Sequence, residues 1–395
     1  MKDIEALVIG GGPVGLFAAV SLLQRGISVE VFDSAGERAV RGYACGLHPG
    51  TLRAFDQVGL MPAILELGHR IDRLVIHRGA ARIGSAELNA IEGKYPYALT
   101  LRQFDLEDIL VQALQRHNLS VQRHHDIHQL YARHGFVSVT GSANPGGVGT
   151  AESPAGSLVS ELVERRVGYV IGADGYFSTC RRVLGVDLTT VRPTRAFAVC
   201  EFLADLRGWE REAHFDFSSE GVCAFWPLGP TLGRFTCQLY KGLDEEASLE
   251  GLRELLRERA PWFTPNPEQL CWGAVAPFEH RVVRRFGQGR VWLAGDAAHS
   301  TSPVGFQSMN RGFCEVERLS ELVASALFDE DHRPSVFQDF EREQQSEWLR
   351  LFGIRPEEAQ AVSSENELAP CIPASGEDFE ALAAQLRASL ARPHA

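Results

Sequence analysis

Several things are missing from this chain, and each absence excludes a class of function. No run of 18 apolar residues occurs in its 395 residues, so no helix is expected to span a membrane. Basic residues are not in excess: 39 Lys and Arg stand against 51 Asp and Glu, a net charge of −12, which argues against nucleic acid as a partner. The eight cysteines, at positions 45, 180, 200, 223, 237, 271, 314 and 371, form no CxxC pair. Zinc is therefore not expected, and reduced cytoplasmic thiols are. The N-terminus runs straight into a strand-like segment, which leaves no room for a signal peptide, and the expected location is the cytoplasm.

What is present is glycine and aspartate, paired in three motifs in one order. The first is Gly10-Gly11-Gly12-Pro13-Val14-Gly15. It follows Ile4–Ile9, an apolar run that reads as a buried parallel strand. Gly10 allows the tight turn, Gly12 lets backbone approach a pyrophosphate, and Gly15 lets the helix pack close to the strand. That helix is expected over Pro13–Arg25, with proline in its first turn and Gly26 as its stop. Its N-terminal N–H groups attract phosphate. A second strand, Ile27–Phe32, leads to Asp33, which can accept hydrogen bonds from the ribose hydroxyls of an adenosine.

The second motif is Gly172-Ala173-Asp174-Gly175 with Ser178 and Arg181, and the third is Gly295-Asp296-Ala297-Ala298-His299 with Pro303, Gly305 and Asn310. An aspartate leaving a strand at 295–296 can accept a hydrogen bond from a sugar-alcohol hydroxyl. FAD carries a ribityl chain of that kind, and NAD does not.

With Arg41, the stretch Gly46–Leu52 and Arg102-Gln103, these motifs resemble the FAD-dependent aromatic hydroxylases of the 4-hydroxybenzoate hydroxylase type, over roughly residues 4 to 330. The resemblance implies an α/β fold: a Rossmann-like FAD-binding domain, an inserted antiparallel-sheet substrate domain, and a helical C-terminal tail. The expected segments are 1–75, 96–186 and 281–334 for FAD, 76–95 and 187–280 for substrate, and 335–395 for the tail. The length matches the shorter members, without a thioredoxin-like extension.

Gly10, Gly12, Pro13, Val14, Gly15, Asp33, Arg41, Arg102, Gln103, Asp174, Gly295, Asp296, Gly305, Met309 and Asn310 are the expected cofactor residues. For Asp174, a turn-forming role is nearly as expected as cofactor contact. Arg181 is expected to anchor the same loop. Substrate is implied to lie between the antiparallel sheet and the flavin. His214, Phe225, Trp226 and Tyr240 are the expected substrate residues, drawn from an aromatic set that includes Phe215 and Phe217. Strand alternation turns about half of that set into plain core. Arg234, Pro303, Phe306 and Ser308 are the expected catalytic residues.

The implied reaction is hydroxylation of an aromatic or polyketide-like small molecule through a flavin C4a-hydroperoxide, after reduction by NADH or NADPH. No second GxGxxG serves the nicotinamide, which suits a reductant that binds only transiently. One departure stands out. Phe306 replaces the usual Gly or Ala, Ser308 replaces a glycine, and Glu315 stands where Asp is typical. The first two are expected to reshape the oxygen side of the flavin. They motivate an alternative: a flavoprotein that lost oxygen transfer and acts as an oxidase, a dehydrogenase or a non-redox cyclase. A flavin-dependent halogenase is disfavoured, because no WxWxIP signature is present.

Other features have blander readings. Leu106, Ile109, Leu110, Ala113 and Leu114 predict an amphipathic helix over 105–116, with Asp105 as N-cap. A glycine-rich loop is expected at 141–156 and a helix at 312–328. His299 reads as a satisfied helix-start histidine rather than a metal or acid–base group. His124, His125 and His128 with Asp126 read as solvated surface. The stripe Phe379, Leu382, Ala383, Leu386 and Leu390 reads as packing within the subunit rather than a dimer contact, and a monomer or homodimer is expected.

Overall fold

A computed structural model of the protein describes residues 2–37, 42, 44–144, 161–218, 221–239, 248–329 and 335–352. Arg41, Tyr240, the glycine-rich segment from 145 and the stripe at 379–390 lie outside the described residues.

The strand Lys2–Ile9 pairs in parallel with Glu161–Gly172 on one side and Val29–Phe32 on the other. Val291–Leu293 and Val121–Gln122 extend this parallel core outward. Its central residues are buried on both faces, as the continuous Ala6–Ile9 run requires. Helix Pro13–Gln24 covers one face, and its residues Gly15–Leu22 are all buried. It lies between the sheet and two further helices, Gln103–Arg116 and Gln307–Phe328.

A second sheet of eight strands runs in the order 299–300, 269–283, 188–203, 232–239, 221–227, 212–218, 73–78, 81–87. Its neighbours are antiparallel, except that Glu212–Ser218 pairs in parallel with Arg73–Arg78. The architecture is mixed α/β with one mainly parallel and one mainly antiparallel sheet. The expected boundaries after 75 and after 280 fall inside strands Arg73–Arg78 and Gln269–Val283, both of which pair within the second sheet.

Two helix starts differ from expectation. The helix expected from 105 begins at Gln103, with Arg102 at the cap position; Asp105 sits in its first turn and pairs with Arg102 at 3.0 Å. The helix expected from 312 begins at Gln307, five residues earlier. Of the expected tail, helix Ser335–Leu351 is described, and its Phe337, Phe340 and Trp348 face the core. No helix among the described residues is long and apolar enough to cross a membrane.

Candidate cofactor and active site

The glycine turn is built as its spacing requires. Gly10 adopts φ +116°, and a Cβ there would lie 2.1 Å from the Ala173 carbonyl oxygen. At Gly15 a Cβ would lie 2.0 Å from the Gly10 oxygen, so only glycine lets the helix approach the turn. Gly12 is different: no atom lies within 4 Å of the place its Cβ would take. The turn is crowded behind and open in front, the shape that admits a phosphate against backbone N–H groups.

In front of it lies a cleft of about 510 Å³. Gly12, Pro13, Val14, Gly42 and Gln103 line it, with Ala173, Gly175 and Tyr176. Asp296, Pro303, Phe306, Ser308 and Met309 line it too, as do Ala276, Pro277, Phe278 and Glu279 of the second sheet. The cleft therefore runs from the phosphate-binding turn to the antiparallel sheet. Its carboxylate at Asp296, its helix N-terminus and its open glycine suit the sugar alcohol and pyrophosphate of FAD.

Asp33 sits against the turn, its Oδ2 within 2.5 Å of where a Gly11 Cβ would be. It is ion-paired with Arg123, and its Oδ1 accepts from Ala35 N at 3.2 Å. A carboxylate accepts about four hydrogen bonds, so capacity for a ribose remains. Asp174 does not point to the cleft. Its oxygens accept from Ser178 Oγ, Thr179 N and Cys180 N at 2.6–3.0 Å, which organises the turn after the strand. Arg181 ties that turn to the third motif, donating to Ala297 O at 2.9 Å and Tyr176 O at 2.7 Å.

Asn310 is also committed to protein rather than to a ligand. Its amide nitrogen donates to Gly46 O and Phe306 O at 2.9 Å, while its oxygen accepts from His48 N and Thr51 Oγ1 at 2.7 Å. His48 completes the clamp with Nε2 at 2.8 Å from Gly305 O. Burial lowers the His48 pKa to about 3, against the pull of that carbonyl, so the ring is neutral and Nε2 carries its proton. Gly305 is thus held through its carbonyl. Nothing in the sequence pattern marked His48 as the clasp of a loop more than 250 residues away.

Phe306 takes the left-handed conformation, φ +58° and ψ +22°, at the start of helix Gln307–Phe328. Such a backbone is strained for a residue with a Cβ, and it turns the ring inward. The ring is 3% exposed, borders the cleft, and meets Trp226 at 5.1 Å. Trp226 is held in turn by its indole N–H, 2.9 Å from Val304 O. Ser308 is expected to reshape the oxygen side of the flavin, and it lines the cleft. Its hydroxyl donates to Asp296 Oδ1 at 2.7 Å.

The register of the second sheet sorts the remaining expectations. Trp226, Arg234, Glu201 and Trp272 stand opposite one another across four strands, on the face toward the cleft. His214, Phe225 and Phe235 form the neighbouring row, on the other face. There Phe225 packs 4.7 Å from Phe263, and His214 stacks 5.3 Å from Trp262. His214 and Phe225 are therefore packed on the far face of the sheet, away from the residues that line the cleft. Arg234 shares the near face but lies behind the cleft lining. It is buried and ion-paired with Glu201, Nε to Oε1 at 3.1 Å, and Nη1 has no partner among the described residues. Arg102 points to solvent and to Asp105, so it does not line the cleft either. Tyr176 and Glu279 were not expected. They join across the mouth, hydroxyl to carboxylate, and both border the cleft.

His299 is satisfied, but by side chains rather than at a helix start: it is fully buried between Glu315 and Ser308. His125 stacks on Phe32, and His128 bonds Ser142. No group of three metal-ligating side chains occurs among the described residues.

The family described as an FAD binding domain matches residues 3–344. The chain belongs to it. As an FAD-dependent aromatic hydroxylase relative, the chain is 26% identical over 336 residues to 6-methylpretetramide 4-monooxygenase of Streptomyces rimosus, covering 82% of this chain and 56% of that protein. It is 27% identical over 344 residues to para-nitrophenol 4-monooxygenase of a Pseudomonas strain, covering 83% and 79%. The crystal structure of p-nitrophenol 4-monooxygenase from Pseudomonas putida has the same fold, with TM-score 0.75, 21% identity and full coverage of both chains. The chain thus spans little more than half the length of the Streptomyces relative.

Proposed function

We propose that this family member is an FAD-dependent monooxygenase that hydroxylates an aromatic or polyketide-like small molecule, with NADH or NADPH as transient reductant. One observation carries the reading: a single cleft joins the phosphate-binding turn and Asp296 to an apolar wall of the second sheet. Relatives named as monooxygenases of a nitrophenol and of a polyketide-type compound support the substrate class.

Bound FAD supplies the redox and dioxygen chemistry. The chain supplies position and dryness. The N-terminus of helix Pro13–Gln24 would hold the pyrophosphate, and Asp33 would face the adenosine ribose. Asp296 would accept from the sugar alcohol. Pro303, Phe306 and Met309 wall the flavin end against Ala276 and Phe278, and this apolar lining keeps water from the reacting atoms. In this reading the parallel sheet and the helices packed on it form the cofactor lobe, and the second sheet forms the substrate lobe.

The alternative of lost oxygen transfer rested on Phe306 and Ser308. Ser308 is turned to Asp296, which removes half of that motive. The test is turnover of NADH or NADPH with a panel of phenols and polycyclic polyketides. Substrate-stimulated oxidation with a product heavier by one oxygen supports the proposal. Reductant consumption that yields only hydrogen peroxide across the panel overturns it.

A further inference from the structure

One chain of polar side chains runs from the C-terminal helix to the cleft. Trp348 Nε1 donates to Glu315 Oε1 at 3.0 Å. Glu315 Oε2 accepts from Gly295 N at 3.2 Å and faces His299 Nε2 at 2.8 Å. His299 Nδ1 lies 3.2 Å from Ser308 Oγ, which donates to Asp296 Oδ1 at 2.7 Å. Trp348, Glu315 and His299 are fully buried; Ser308 is half-buried and Asp296 is exposed in the cleft.

Donor counting sets the direction of the chain. A serine hydroxyl has one proton. Its candidate acceptors are Asp296 Oδ1 at 2.7 Å, His299 Nδ1 at 3.2 Å and the His299 carbonyl at 3.3 Å, and the shorter, charge-assisted bond wins. The Ser308 oxygen lies 3.2 Å from His299 Nδ1, and His299 Nε2 faces the Glu315 carboxylate at 2.8 Å. The ring is held between Glu315 and Ser308, stacked 4.0 Å from the Trp348 indole. Burial pushes the Glu315 carboxyl up, but the His299 charge and hydrogen bond, Arg311 and the Trp348 N–H outweigh it and hold the group below its usual value.

We propose that Ser308 is a positioning residue for the cofactor, transmitting the buried His299–Glu315 pair to Asp296 and fixing that carboxylate before the cofactor arrives. The inference rests on the reading that the cleft holds FAD. An exposed aspartate samples several rotamers, and ordering it on binding costs affinity. Ser308 anchors one oxygen from within the protein and leaves the other for a ligand hydroxyl. The anchor is itself fixed, because His299 is gripped by Glu315, and Glu315 by Trp348 and the Gly295 N–H. Helix Ser335–Leu351 thereby becomes part of the cofactor machinery without touching the cleft.

The test is FAD titration of the full-length apoprotein, followed by flavin fluorescence, for wild type, Ser308→Ala, Ser308→Thr, Asp296→Ala and the Ser308→Ala/Asp296→Ala double variant. Loss of the anchor should raise the dissociation constant about 3- to 30-fold in Ser308→Ala. Threonine keeps the hydroxyl and should recover most of that loss. In the Asp296→Ala background the serine change should have almost no effect, the non-additivity that a relay requires and a general loss of packing does not produce. Histidine side-chain NMR gives a second readout: the His299 ring signals of the wild-type apoprotein should shift in Ser308→Ala. Equal effects of Ser308→Ala in both backgrounds, or an unchanged His299 signal, overturn the proposal. Failure of the underlying reading looks different: wild-type protein would not bind FAD at all, and the positioning role would fall with it.

Discussion

The site depends most on two kinds of residue, a carboxylate that meets the ligand and glycines that let backbone come close. Asp296 is the first kind. Replacing it with alanine removes a charge-assisted hydrogen bond, and FAD affinity should fall about 10- to 150-fold, corresponding to about 1.5–3 kcal/mol. Equilibrium titration of the apoprotein measures this, and unchanged affinity would remove Asp296 from the ligand's contacts. Gly15 is the second kind. A methyl group there would meet the Gly10 carbonyl oxygen at 2.0 Å, which backbone must move to relieve. Gly15→Ala should lower unfolding stability by about 1–3 kcal/mol and weaken FAD binding together. Gly12→Ala meets open space, so urea unfolding should show little loss of stability while FAD binding still weakens. Equal stability losses at both glycines would contradict this division of roles.

At the scale of elements, the segment from Ser302 to Asn310 is a strained turn held by distant clasps. Asn310 makes four of the bonds, to Gly46, His48, Thr51 and Phe306. Asn310→Ala leaves several buried backbone groups unpaired and should cost about 3–4 kcal/mol in urea unfolding. If stability changes by less than 1 kcal/mol, water replaces the amide and the clasp is dispensable. The elements around the N-terminal glycine turn were legible in the sequence because each is local: an apolar run, then glycine, then a helix with proline at its start. The face of the second sheet was not legible. Phe225 and Trp226 are adjacent, and only the pairing of Trp226 with Arg234 shows which one turns toward the cofactor lobe. The face of His214 was not legible for the same reason, since it follows from its register with Phe225. Asn310 and Asp174 were found but given ligand roles, because a motif reveals that a polar side chain is needed and not which partner it serves. Ser308 was recognised as unusual, yet its target, Asp296, became clear only when the turn brought the two together.

At the scale of the whole molecule, the buried histidines make stability sensitive to acid. Burial lowers the pKa of His48 to about 3, His77 to about 4 and His214 to about 3, with Arg82 adding to the last two. Their unfolded value is near 6.5, so below that pH the unfolded chain binds more protons. Stability is fully present above about 6.5 and declines as pH falls toward 4, by at most about 1.4 kcal/mol per pH unit for each histidine. Urea midpoints from pH 7.5 to 4.5 should show this, and His214→Gln should flatten the decline; a flat wild-type profile would contradict it. The functional account also concerns the whole molecule, since the cofactor turn and the apolar wall come from different sheets and meet in one cleft. Its most direct test is turnover under labelled dioxygen, with an accepted phenol or polyketide and NADH or NADPH in ordinary water. The account predicts a product carrying one labelled oxygen atom for each reductant consumed in coupled turnover. A product whose new oxygen comes from water, or one formed equally well without dioxygen, would contradict it.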